Sequence, residues 1–169
     1  MFSKGEYVVY ATNGICLIED IGPMRNSEDT DKTYYILRPN NSQASVLYVP
    51  LDSEILCAKM RYVFTKAELE QILADVKSDC FEWIDERKNR MNAFREMLHS
   101  GDMKVLILLA GCIYRKRDAL DKAGKRLSDA DEHVLKSAVR IVEEEFAWVL
   151  GIPRSGVSNY IKDSLSNTK

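Results

Sequence analysis

The feature that most constrains this 169-residue chain is a change of hydrophobic period at Thr65. Upstream of it, short runs rich in β-branched and aromatic residues are separated by turn residues. Downstream, apolar residues recur three and four positions apart. The two periods bury different faces and cannot be interchanged. The chain therefore divides into two modules, 1–62 and 63–169, and its fold class is α+β: a small antiparallel β-barrel or strongly bent sheet, then an all-α helical bundle.

The β module opens with Lys4 to Ile21, where Tyr7-Val8-Val9-Tyr10 and Ile15 to Ile18 read as strands. Asn13-Gly14 between them is a tight-turn signal, because both residues tolerate positive φ. A polar stretch, 24–32, leads to a third strand at Lys32–Pro39. A fourth strand at Ser45–Val49 is stopped by Pro50, and a short fifth is expected around Ile55-Leu56 or Arg61 to Val63. Close strand spacing with no helix between strands is the pattern of a small barrel. So short a module buries only a modest core.

In the α module, Thr65-Lys66-Ala67-Glu68 is a capping box. Leu69, Ile72, Leu73 and Val76 follow at helical spacing, and Ser78-Asp79 breaks that helix. A second helix is expected from about Trp83 to Leu98, stopped by Ser100-Gly101-Asp102. A third runs from about Met103 to Lys122, and a fourth, capped by Ser128 or Asp129, ends at Leu150 before Gly151 and Pro153. A short last helix spans Ser155 to Leu165.

Charge separates the modules as well. Residues 1–60 hold five basic against eight acidic side chains, and residues 83–127 hold eleven against six. An acidic module followed by a basic one points to two surfaces with different partners. The four cysteines (16, 57, 80, 112) lack metal-ligand spacing and do not cluster with His99 or His133. They read as small core residues in a reducing cytosol, with no metal site and no cofactor. There is no signal peptide, and the most apolar run, Val105–Cys112, is too short to span a membrane, which leaves the cytoplasm as the expected location.

No catalytic constellation can be assembled: there is no phosphate-binding glycine loop, HExxH or GxSxG, so an enzyme is not expected. Glu143-Glu144-Glu145 reads as a solvated helix face whose carboxylates diverge. The positive signal is basic and helical. Arg87, Lys88, Arg90 and Arg95 decorate the second helix. Arg115-Lys116-Arg117 and Lys125-Arg126 lie at the end of the third helix and in its following loop. Phosphate recognition needs such cations on a positioned surface, although an ordinary solvated face reads the same way. Trp83 adjoins this basic face. It is either a core residue or an aromatic that wedges against a base step from the minor groove, whereas Trp148, within FAWVLGI, reads as core. In the β module, Tyr34, Arg38, Val46 and Tyr48 flank a sheet edge that could accept a partner strand.

Met1-Phe2, Gly5, Val8-Val9-Tyr10, Asn13-Gly14, Ile18-Glu19-Asp20-Ile21, Tyr34-Tyr35-Ile36-Leu37 and Val49-Pro50 resemble the opening of the CarD/CdnL family of bacterial transcription regulators. The same N-terminal module occurs in transcription-repair coupling factor. The order of Ser100-Gly101-Asp102, Ile113-Tyr114-Arg115-Lys116 and Leu127-Ser128 is similar to the helical domain of the stand-alone members. The resemblance implies a Tudor/SH3-like barrel that binds the RNA polymerase β subunit, and a helical domain that touches promoter DNA at the upstream edge of the bubble. There a tryptophan props open the minor groove and alters open-complex stability, with little sequence specificity. Carried over, it assigns Trp83, Arg87, Lys88, Arg90, Arg115, Lys116, Arg117, Lys125 and Arg126 to DNA, and Arg25, Tyr34, Arg38, Val46 and Tyr48 to polymerase. It implies no membrane and no small-molecule substrate.

Two positions depart from the family pattern. Counting back from Ser100-Gly101-Asp102 brings Arg87, not Trp83, to the level of the family's tryptophan, and a one-turn helical insertion would keep Trp83 on nearly the same face. Tyr48 stands where better-known members carry an arginine on the fourth strand. The rival expectation is a protein–protein module that binds polymerase or another partner and never contacts DNA.

Overall fold

The structure is a computed structural model that describes residues 1–24, 32–42 and 44–166. It separates into two units, Met1–Val63 and Phe64–Lys169.

The first unit is a barrel-like five-stranded antiparallel sheet: β1 (Tyr7–Tyr10), β2 (Ile15–Gly22), β3 (Tyr34–Pro39), β4 (Leu47–Pro50) and β5 (Met60–Tyr62). The strand order is β4-β3-β2-β1-β5, so the last strand returns to pair with the first. A one-turn helix α1 (Glu54–Cys57), capped by Ser53, occupies the Ile55-Leu56 position, which leaves 60–62 as the fifth strand. Val8, Cys16, Ile18, Tyr35, Leu37, Val49 and Met60 form the core.

The β1–β2 connection differs from the expected two-residue turn. The register Val9↔Ile15, with the Tyr10 N–H donating to the Gly14 carbonyl at 3.1 Å, leaves a loop built on a 3-10 turn at Ala11–Asn13. Gly14 takes φ 77°, but Ala11, not Asn13, is the second positive-φ residue, at 46°. The Ala11 N–H is held by the Lys59 carbonyl at 3.2 Å, a contact from before β5 that offsets the left-handed backbone's cost of about 1–2 kcal/mol.

The second unit contains α2 (Lys66–Lys77), α3 (Arg87–Ser100), α4 (Met103–Lys122), α5 (Asp129–Leu150) and α6 (Arg154–Ser166). The Thr65 hydroxyl accepts from the Glu68 N–H at 3.3 Å while the Thr65 N–H donates to Glu68 Oε2 at 2.7 Å, which completes the capping box. Asp102 and Ser128 cap α4 and α5, and Gly101 and Gly151 close α3 and α5 in the left-handed conformation. Leu106, Leu109 and Ile113 of α4 pack with Ala138, Ile141 and Phe146 of α5, and with Leu69 and Phe94, in one core.

Three expectations change here. The second helix starts at Arg87, and residues 79–86 form an irregular connector. Glu144 and Glu145 are buried, at 4% and 2% exposure, instead of facing solvent. Glu144 lies 3.6 Å from Arg154 and 3.9 Å from Arg140, and Glu145 accepts the Phe64 N–H at 3.1 Å. Their carboxylates do diverge, because successive helix positions point in different directions. Trp148 is 41% exposed, so it is not a core residue.

Candidate nucleic-acid interface

The basic face is organised by the connector 79–86. A segment outside sheet and helix must find partners for its carbonyls elsewhere. Arginines supply them. Arg115 Nη2 of α4 donates to the Phe81 carbonyl at 3.0 Å, and Arg90 Nη1 of α3 donates to the carbonyls of Ile84 and Asp85 at 2.9 and 3.0 Å. Apolar packing pins the same segment: the rings of Phe81 and Trp83 lie 6.3 and 5.9 Å from Phe94, which is fully buried. Glu86 then starts α3 by accepting the N–H groups of Asn89 and Lys88 at 2.7 and 2.9 Å. These backbone donors, Asn89 first, hold the Glu86 carboxyl below the usual carboxylate range.

Trp83 is partly buried and packs edge-on against Phe94. The Arg90 guanidinium lies 4.4 Å from its ring centroid and the Lys116 ammonium 5.0 Å. The indole is therefore neither deep core nor the helical side chain that a one-turn insertion would carry. It stands on the connector, flanked by two cations attracted to its π face.

Arg90 is the most buried of the side chains expected at DNA. Its burial is at odds with an exposed phosphate-binding role: it is 7% exposed, and Asp131 is 2% exposed. Arg90 Nε and Nη2 donate to the two carboxylate oxygens of Asp131 at 3.0 and 3.2 Å. Asp131 sits in the first turn of α5, where a negative charge suits the helix N-terminus, and it also accepts the Ser128 hydroxyl at 2.6 Å. Burying two charges is repaid only by this kind of two-point geometry with the remaining donors satisfied.

The other cations are more accessible. Arg87 and Lys88 are exposed on the first turn of α3. Cations there oppose the helix dipole by about 0.3–1 kcal/mol, so helix stability does not require them. Lys116 is partly exposed and lies 3.8 Å from Asp85. Arg115 is exposed apart from its hold on Phe81 and a 3.3 Å contact with Cys80 Sγ. Arg117 stacks over Tyr114 at 4.7 Å and meets Glu132 at 4.0 Å. Lys125 and Arg126 are exposed in the loop 123–128, which follows the end of α4 at Lys122. The structure thus gathers Trp83, Arg90, Lys116 and Arg115 around one segment and sets Lys125 and Arg126 apart.

Cys80 is exposed on the connector, not in a core, whereas burial pushes the Cys112 thiol up. Among the described residues no group of His, Cys, Asp and Glu could hold a metal ion, and no helix is long and apolar enough to cross a membrane. A cavity of about 320 Å³ between α4, α5 and α6 is lined by aliphatic side chains such as Ile107, Val142 and Val157 together with the charged Arg115, Arg117, Asp118, Glu143 and Lys162.

In the first unit, the register puts Tyr34, Arg38 and Tyr48, with the buried Ile36 between them, on the face opposite Tyr35, Leu37 and Val49. The Tyr34 and Tyr48 rings meet edge to face at 6.1 Å. A bulge between Ile18 and Asp20 turns Glu19 to Arg38, which it binds at two points, one of them Nη2 to Oε2 at 3.0 Å. Val46 is partly buried just before β4, and among the described residues β4 pairs only with β3. Arg25 lies outside the described residues.

Compared with known proteins, residues 2–63 match the family described as the CarD-like/TRCF RID domain. The match ends where the first unit ends. No curated protein matches the chain.

Proposed function

We propose that this chain, whose first unit is a CarD-like RNA polymerase-interacting module, is a transcription regulator that alters open-complex stability. In this reading the Tudor-like first unit docks on the polymerase β subunit. Tyr34, Tyr48, Val46 and the edge of β4 contribute, with Arg25 and, through its pair with Glu19, Arg38 beside them. The second unit meets promoter DNA near the upstream edge of the bubble through Trp83, Arg87, Lys88, Arg115 and Lys116, with Arg117, Lys125 and Arg126 further along. The observation that carries the reading is the family match over 2–63. The cation-flanked Trp83 supports the DNA half, because an aromatic and several positioned cations on one segment can engage a base step and its phosphates together. The protein acts in the cytoplasm, where polymerase supplies the address. Free DNA affinity is weak and falls steeply with salt, as phosphate contacts release counterions. Binding and not bond-making is the role of such a module.

A second reading is favoured by the packing of Trp83 on Phe94 and the burial of Arg90: the second unit serves only to bind protein. The lifetime of the open complex on one promoter, with wild-type protein and with Trp83→Ala, separates the two. The DNA reading expects Trp83→Ala to abolish most of the effect while polymerase binding persists. An unchanged effect removes Trp83 as the wedge and favours the protein-only alternative.

A further inference from the structure

Arg90 and Asp131 lie 41 positions apart and stand behind the connector that carries Trp83. We infer that Arg90 is a positioning residue: clamped by Asp131, it holds residues 84–85 in their non-helical path and so sets the depth and angle at which Trp83 is presented. The inference rests on the proposal that Trp83 meets DNA, but its structural half can be tested without DNA.

Four of its hydrogen bonds say what the guanidinium does. Two go to Asp131, which fixes the head group, and two go to the Ile84 and Asp85 carbonyls, which immediately follow Trp83. The same group stacks 4.4 Å from the indole. One planar cation therefore ties α3, the first turn of α5 and the connector together under the aromatic side chain. A buried ion pair is a poor device for stability alone, since apolar residues of similar volume usually serve as well. Here an apolar residue would leave two carbonyls and a buried carboxylate without their partner. Lysine would fail too, because a point charge cannot stack flat on the ring and span Asp131 and both carbonyls. Lys116 makes the contrast. It also lies over Trp83, but its 3.8 Å contact with Asp85 involves a carboxylate that is 92% exposed, so it can exchange the ring for a phosphate.

The test compares Arg90→Lys, Trp83→Ala, the double variant and Lys116→Ala in the full chain. Fluorescence is read with Trp148→Phe added, so that Trp83 is the one emitter. Positioning predicts that Arg90→Lys keeps its helical circular dichroism, while Trp83 emission shifts to the red and iodide quenches it more strongly. The effect on open-complex lifetime falls about tenfold, the scale of one lost charge-assisted hydrogen bond. The double variant is no worse than Trp83→Ala, and the salt slope of promoter binding is unchanged, whereas Lys116→Ala lowers that slope by about one.

Unchanged emission and quenching in Arg90→Lys overturn the inference, and so does a slope that drops by about one, which would make Arg90 a phosphate contact. If Trp83→Ala leaves the lifetime untouched, the DNA reading fails, yet the fluorescence of Arg90→Lys still decides whether Arg90 positions the ring. Should Arg90→Lys not fold, Asp131→Asn keeps the side-chain shape, loosens the clamp and is judged by the same spectra.

Discussion

Arg38 in the sheet and Arg90 in the bundle each grip a carboxylate through Nε and one terminal nitrogen. Glu19 reaches Arg38 because a β-bulge turns it there, and both side chains keep more than a quarter of their surface in water. Asp131 reaches Arg90 from another helix, and both are buried. The same chemical pair thus trims charge on a partly open surface in one unit and fixes a path of backbone in the other. What differs is the solvent left around the charges and the carbonyls that Arg90 serves besides its carboxylate. On the sheet face, Glu19 pairs with the one described arginine expected at polymerase, so that face offers the Tyr34 and Tyr48 rings more than it offers free cations.

The contrast can be broken at either pair. Asp131→Ala leaves a buried guanidinium without its anion, and it should cost the second unit about 3–5 kcal/mol in urea unfolding followed by Trp83 emission. A loss below about 1 kcal/mol would mean that water reaches Arg90 and that the two pairs are alike. Glu19→Ala should cost only about 0.2–1 kcal/mol in the first unit, measured by hydrogen exchange of β2 and β3 amides. A larger loss would make the sheet pair structural. Lys116→Ala removes a cation from the indole and should change stability by about 0.5 kcal/mol or less, against its clear effect on the salt slope of DNA binding.

The smallest effect expected is pH-dependent. Glu86 has a folded pKa below its unfolded value, because it accepts two backbone N–H bonds. Its contribution is therefore complete above the unfolded carboxylate pKa and is lost as pH falls through the depressed folded value. Exchange protection of the Lys88 and Asn89 amides should fade in that acid window in the wild type. In Glu86→Gln it should lack that pH dependence. Fading at the ordinary glutamate pKa would show that Glu86 does not cap α3 in solution.

The same division between local and distant partners explains what could be read in advance. The Thr65 capping box, Asp102 and Ser128 as caps, and Gly101 and Gly151 as stops all act within a turn or two of their own residues, so the limits of α4 and α5 were legible. The strands were legible from runs such as Tyr34–Leu37. The start of α3 was not: Trp83-Ile84-Asp85 has nothing that forbids a helix, and the contacts that hold this segment outside one come from Phe94, Arg90 and Arg115. Nor was the burial of Glu144 and Glu145, whose partners include Arg154 and the N–H of Phe64. Cys80 was misplaced for a related reason, since its neighbour Phe81 turns to the core while its own thiol meets Arg115. In the first hairpin the Asn13-Gly14 signal marked the turn, but Ala11, whose N–H donates to the distant Lys59 carbonyl, takes the left-handed conformation.

By itself, then, the sequence determined a β unit followed by an α unit, the helix limits set by Thr65, Gly101, Asp102, Ser128 and Gly151, and a basic second half with a tryptophan near its cations. Periodicity and capping depend on neighbours along the chain, so they are written in consecutive residues. Only the tertiary structure decided that Arg90 is buried in an ion pair with Asp131, and that Trp83 stands on a connector and not on a helix. The first depends on Asp131, which the chain brings to Arg90 from 41 residues away, the second on contacts from Phe94, Arg90 and Arg115, and no local pattern encodes partners at such distances.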